Sequence, residues 1–345
     1  MLYETTRAKH DIVTAHKAAH TDCNTDGGLF VPFRLMQLNN EQLDQMLSGN
    51  SSQITAKVLN HFFSCNLSEA DVDATTGHQP VKCVPIGRRL VVAELWHNSS
   101  ADVSRVVQRL ADKICKGKRG AAPANWMHIA VRIALLFASY GTLRNANMIH
   151  IYHPLDVAVT TGDFSMPMAA WYARQMGLPI GNIVCGCNSN GGFWDLLNRG
   201  EFFTGDSVAE TMTPEADLVV PRNLERLIYA TLGVEETKHY LHCCGLGRTY
   251  RLSEDQLKIL GKGMFAAVIS DARVSIIIPG VYHTCNYVLD PYAALAYGSL
   301  QDYRSMTGHI NPMLLVAERS PAQNRQQICQ LLQIDDSELK NLIFG

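Results

Sequence analysis

Two hydrophobic patterns alternate along the chain: short apolar runs, and stretches where apolar residues recur every three or four positions. Val103, Val106, Val107, Leu110 and Ile114 recur at helical spacing behind a Ser-Ser-Ala-Asp opening suited to capping. A second helix is predicted from about Trp126 to Tyr140, with Ile129, Ile133, Leu136 and Phe137 on one face. Between the two, KGKRGAAPAN reads as a solvated connector. Residues 157–187 form the clearest unit. VAVT is β-branched and predicts a buried strand, TGDF a turn, and SMPMAAWYARQM a helix with Pro167 in its first turn. Gly177 and Pro179 stop that helix, and IVCGC predicts the next strand. Such a βαβ unit requires parallel strands.

The C-terminal third repeats this grammar. NLERLIYATL predicts a helix over Asn223–Leu232, and Pro291 begins another through Ala294, Leu295 and Leu300. MLLVAE predicts a short buried strand, and ICQLLQ a closing helix. VSIIIPGVY is ambiguous: its β-branched residues favour a strand, which Pro279 and Gly280 would cut short. The fold class expected is α/β, a mostly parallel sheet flanked by helices.

Composition narrows the function classes. At 345 residues, the chain is long enough for one large core or two domains. Hydrophobic residues make up 47% and charged residues 18%, which excludes a disordered or collagenous chain. Lys plus Arg is 30 against 32 Asp plus Glu, so no general attraction to nucleic acid or to an anionic membrane is expected. The opening MLYETTRAKHDIV lacks a signal-type apolar region, and the longest apolar runs, near IALLFASY and VSIIIPGV, look too short to span a bilayer. Ten cysteines then read as reduced thiols of a cytoplasmic protein.

The turn Thr160–Ser165 is the best anion-site candidate, since backbone N–H groups at a helix N-terminus favour negative charge. Thr160, Thr161 and Ser165 add hydroxyl donors, whereas Asp163 repels an anion and can instead cap the helix. In the run His239-Tyr-Leu-His242-Cys243-Cys244, two histidines share a helix face, but no second pair at zinc spacing accompanies them, and no metal is expected. Cys185 and Cys187 point to one face of a strand, where packing is the ordinary role. His97, at the mouth of a helix, suits a general base or an ordinary structural histidine. No dinucleotide, Walker, zincin or nucleophile-elbow motif is present.

Taken in order, the motifs resemble the threonine synthase family, pyridoxal-phosphate (PLP) enzymes of the tryptophan-synthase-β-like fold. Tyr3-Glu4-Thr5-Thr6-Arg7 resembles that family's Y-x-S-T-R, Asp26 to Pro32 its D-G-G-L-F-V-P, and Glu94-Leu95-Trp96-His97 its E-L-F-H. Asn125-Trp126 is similar to N-W, and Thr161-Gly162-Asp163-Phe164 with Met176 to Ile180 to T-G-N-F-G-D…M-G-L-P-I. Asn188-Ser189-Asn190 resembles N-E-N, Pro221 to Leu227 V-P-S-N-F-E-R-L, and Asp290-Pro291-Tyr292 D-P-H. The departures bear on function. In the family, E-L-F-H continues to the lysine that forms the Schiff base; here Ser104 stands in that register, and Lys113, Lys116 and Lys118 lie too far along. The family's small substrate-closing domain has no counterpart, its place being taken by residues 116–124. The family's T-A-H-P-A corresponds to Glu318-Arg319-Ser320-Pro321-Ala322.

The resemblance therefore implies a single domain over residues 1–345: a threonine-synthase-like large domain with the small domain deleted. It implies that no cofactor is bound and that the emptied cleft serves a small amino-acid-like or phosphorylated metabolite. The alternatives are a non-catalytic protein that binds a ligand or partner, and a PLP-dependent lyase or threonine synthase holding its cofactor non-covalently; a homo-oligomer fits any of these. The catalytic candidates are His97, Ser104, Asp163 and Glu318. The substrate-binding candidates are Glu94, Asn98, Arg105, Thr160, Thr161, Gly162, Phe164, Ser165 and Asn188.

Overall fold

The computed structural model describes residues 1–8, 11–78, 80–97, 102–116, 125–150, 152–205 and 207–344. Its centre is a six-stranded sheet of β1 (Lys82–Gly87), β2 (Leu90–Glu94), β3 (Leu155–Thr160), β4 (Ile180–Cys187), β5 (Met264–Val268) and β6 (Met313–Ala317). The spatial order is β5-β4-β3-β6-β2-β1. Every neighbouring pair is parallel except β1–β2 at the edge. Alternation along the strands divides the core between two faces. Val157, Val159, Cys185 and Val316 pack on one side, and Ala158, Val184, Val92 and Leu315 on the other.

The first face is covered by α1 (Val103–Cys115), α2 (Trp126–Asn145) and α3 (Ser165–Gln175). α2 is apolar nearly all round because it lies inside the core. Its 20 residues are long and apolar enough to cross a membrane, which corrects the length inferred from the run IALLFASY; burial against the helix Ser51–Phe63, α3 and α1 accounts for that apolarity here. Two further helices, α4 (Leu224–Leu232) and α5 (Val234–Gly245), extend this layer. The second face is covered by α6 (Asp271–Cys285) and α7 (Pro291–Thr307). A three-stranded antiparallel sheet of residues Leu2–Thr5, Val13–Thr14 and Phe30–Pro32 lies in the N-terminal segment.

The segment VSIIIPGVY lies within α6, not in a strand. Ser270 caps the helix by accepting from the Arg273 N–H, and Val274, Ile277, Ile278 and Val281 fall on one buried stripe at helical spacing, so tertiary burial overrides β-branching. ICQLLQ forms a helix over Arg325–Leu332, and a further helix, Asp336–Phe344, follows it. Only residues 116–125 separate α1 from α2, too few to hold an inserted domain. Lys116 closes α1 in the left-handed region at φ 50°; residues 117–124 of the expected connector lie outside the described residues.

Candidate functional site

The carboxyl ends of β2, β3 and β6 converge on one rim, the usual place for ligands in open α/β sheets. A cavity of about 380 Å³ opens there. One wall is the start of α1, where Asp102, Val103 and Ser104 face the cavity. The Asp102 carboxylate caps α1 by accepting from the Arg105 N–H, and the Val103 N–H donates to the Glu318 carbonyl at 2.7 Å. These bonds tie α1 to the chain leaving β6, so Ser104 and Glu318 share the cavity. The floor comes from α2, whose His128 and Arg132 are one helical turn apart. Arg132 is held by Glu318 at 2.7 Å and also donates to the His128 carbonyl.

The turn after β3 supplies Thr160, Thr161, Gly162 and Asp163. Gly162 has φ +43°, and a Cβ there would meet no atom within 4 Å, so the backbone leaves an open cradle. Asp163 points back at the helix: its carboxylate accepts from the Ser165 N–H at 2.9 Å and hydroxyl at 2.7 Å. Asp163 thus closes the turn onto Ser165, while the N-cap position of α3 is Phe164, in the left-handed region and without a side-chain cap bond. Asn223 holds the arrangement by donating to the Asp163 carbonyl and to the Ser165 hydroxyl. On the far side lie Tyr292 at the start of α7, Glu318 and Arg319 after β6, and Glu215 and Leu218 from the loop of residues 207–223 that precedes α4 and crosses this rim, the crossing loop. Asp290 caps α7 through the Tyr292 and Ala293 N–H groups; burial pushes its carboxyl up to about 6 despite those bonds.

The fold thus brings Ser104, Thr160, Thr161, Gly162, Asp163 and Glu318 together around one cavity. It places the other candidates elsewhere. His97 Nδ1 lies 3.4 Å from the buried carboxylate of Glu94, to which the Tyr287 hydroxyl also donates at 3.0 Å; neither His97 nor Glu94 lines the cavity. They separate from it because Glu94 ends β2 beside Lys82 of the edge strand β1. Arg105 points to solvent, since it falls on the outer face of α1. Phe164 is fully buried against Phe193, and Ser165 is consumed by Asp163 and Asn223. Asn188 is buried beneath the crossing loop and donates to Thr211, Thr213 and Asp217. Asn98 lies outside the described residues.

Sequence reasoning did not single out His128, Arg132, Tyr292, Glu215 or Arg319. One signal was available: His128 and Arg132 are the polar pair, four apart, in the otherwise apolar stretch Trp126–Phe137 of α2. No sequence signal announces Glu215, which reaches the site only because its loop crosses the rim. His239 lies 3.2 Å from Glu236, and among the described residues no group of three His, Cys, Asp or Glu could hold a metal. Burial raises the Cys185 thiol well above its usual value and Cys187 to about 12, which leaves both unreactive.

Comparison with known proteins follows the same lines. Residues 2–78 match the family described as "Threonine synthase N terminus". The human protein Threonine synthase-like 1 is 25% identical over 184 residues, which cover 50% of this chain and 24% of that protein. A threonine synthase of Pseudomonas aeruginosa is 27% identical over 190 residues, covering 52% of this chain and 38% of that one. The matched stretches thus span well under half of these relatives. The solved structure of PLP-bound threonine synthase from Brucella melitensis superposes with a TM-score of 0.85 at 18% identity, covering 99% of this chain and 94% of that one. That likeness overturns the expectation of a chain without a cofactor: the neighbouring structure is one solved with PLP bound.

Proposed function

We propose, from the match of residues 2–78 to the threonine synthase N-terminus family and the likeness of the fold to threonine synthases, that the chain acts in amino-acid metabolism, in the cytoplasm, on a small amino-acid-like substrate, with PLP held non-covalently in the cavity. The observation that carries this reading is the cavity of about 380 Å³ at the carboxyl edge of the sheet, open at Gly162 and lined by no lysine among the described residues. Toward a phosphate the lining offers the Thr160 and Thr161 hydroxyls and the Gly162 backbone, with the Asp163 carboxylate engaged by Ser165, and it offers no lysine as a covalent anchor among the described residues. Thr160, Thr161 and Gly162 would cradle the cofactor, with Met166 and Tyr292 among the walls. When bound, PLP supplies an electron sink for chemistry at an amino-acid α-carbon.

The remaining work falls to the chain's own groups. The Arg132–Glu318 pair keeps a fixed carboxylate at the cavity surface, suited to an ammonium group. The Ser104 hydroxyl, one turn into α1, donates a hydrogen bond or takes the nucleophile's role. His128 is the histidine that lines the cavity and carries the proton transfer.

The test is a PLP titration followed by absorbance, with desalting and borohydride reduction of parallel samples. A saturable spectral change that is lost on desalting, with no pyridoxyl-modified lysine by mass spectrometry, is expected. A pyridoxyl-lysine would show covalent attachment and overturn the reading, as would the absence of any saturable change.

A further inference from the structure

We infer that Arg319 is the carboxylate anchor of this site and that Glu215, on the loop crossing the rim, occupies it as a built-in competitor until a substrate carboxylate displaces it. This rests on the reading of the cavity given above and adds the group that recognises the substrate and the contact that controls access.

The guanidinium of Arg319 makes a two-point pair with the Glu215 carboxylate, the Nη1 bond measuring 3.0 Å. It lies 4.2 Å over the ring of Tyr292. Burial pulls the Arg319 pKa down, and Glu215, Tyr292 and Asp290 more than offset that, so the cation is fixed. Its backbone is fixed as well, bridged to Asp102 at the start of α1. A planar fork stacked on an aromatic ring is built to bind a carboxylate through two parallel bonds, and its present partner is a carboxylate.

The two members of the pair differ in how firmly they are held. The Arg319 side chain is 16% exposed and the Glu215 side chain 68%. Glu215 sits on a single 3-10 turn, Pro214–Ala216, with no side-chain cap, and its N–H donates to the Tyr292 hydroxyl at 3.1 Å. An exposed carboxylate partner contributes little net stability and exchanges at small cost. The neighbouring Arg132–Glu318 pair is 8% and 19% exposed, so it stays intact while Glu215 gives way. The loop remains attached when Glu215 swings out, because Asp217 is held by Asn188 and Asn190. Around the anchor, the carboxylates of Asp102 and Glu318 line the same cavity and supply the negative charge that receives an α-ammonium group. The guest that satisfies both halves is a zwitterionic α-amino acid.

Wild type, Glu215→Gln and Arg319→Lys are each titrated by calorimetry with glycine, with glycinamide and with PLP. Glu215→Gln is expected to bind glycine at least tenfold more tightly than wild type, with glycinamide unchanged, because only the free acid competes for the fork. Arg319→Lys, which keeps the charge and loses the two-point geometry, is expected to bind glycine at least tenfold more weakly. PLP binding with equal glycine affinity in all three proteins overturns the anchor and leaves the cavity reading standing. Failure of all three to bind any of the probes overturns both.

Discussion

Arg7 reaches the buried carboxylate of Glu225 through Nε and Nη2, both at 3.1 Å, and Thr6 donates to the same group. Nearby, Arg226 donates to the Phe30 carbonyl and to Asn223. The motif residues that most resemble the family at the N-terminus and in α4 are thus joined as scaffold, 218 positions apart in sequence. Glu225 is 2% exposed, so losing the two-point Arg7 pair leaves its buried charge held only by Thr6 and the longer contact from Arg222 at 3.5 Å. Arg7→Ala is expected to cost about 3 kcal/mol, read from the urea midpoint. Asp290 gives a pH signature. Its folded pKa, about 6, lies above the unfolded value of 3.8, so the folded state binds the proton more tightly. Stability from this group is complete below pH 3.8 and is lost as pH rises through 6. At 1.36 kcal/mol per unit, wild type is expected to lose ~3 kcal/mol relative to Asp290→Asn across that interval. Parallel curves for the two proteins would count against it.

At the scale of elements, close packing of α7 on the sheet depends on one missing side chain. A Cβ on Gly186 of β4 would lie 2.5 Å from the Leu295 carbonyl, which is backbone and cannot rotate away. Gly186→Ala is expected to lower stability by about 3 kcal/mol, measured by thermal unfolding, because the helix must lift off the strand. The turn between β3 and α3 behaves differently. At Gly162 an added methyl meets nothing but carries the strain of positive φ and fills the cradle. Gly162→Ala is therefore expected to cost about 1 kcal/mol of stability while weakening PLP binding at least tenfold. Periodicity predicted the β3–α3–β4 unit and the α1 helix close to where they lie, because strand alternation and helical spacing both report a single buried face. The segment VSIIIPGVY stayed ambiguous in the sequence because its β-branched residues favour a strand; the burial of Val274, Ile277, Ile278 and Val281 on one helical stripe decided it as α6.

For the whole molecule, the cavity is an assembly of distant segments: Ser104 and His128 come from the first half of the chain, Tyr292 and Arg319 from the last sixth. A histidine next to a motif and a histidine in the site are therefore different residues. His128→Ala is expected to abolish turnover with ligand binding retained, whereas His97→Ala leaves turnover within about threefold and lowers stability by about 1 kcal/mol through the loss of its contact with Glu94. Steady-state kinetics on the two variants separates them, and an inactive His97→Ala beside an active His128→Ala would reverse the assignment. The order of apolar and polar residues was sufficient to determine the α/β class, the parallel βαβ unit and the turn at Thr160–Ser165, since each depends on neighbours within a few positions of one another. Which charged groups meet was decided only in three dimensions. The side chains of Glu318 and Arg132 are 186 positions apart and those of Arg319 and Glu215 104 apart, and strand order and a loop crossing the rim bring them within bonding distance. Electrostatic pairing acts over a few ångströms of space, and linear spacing carries no record of it.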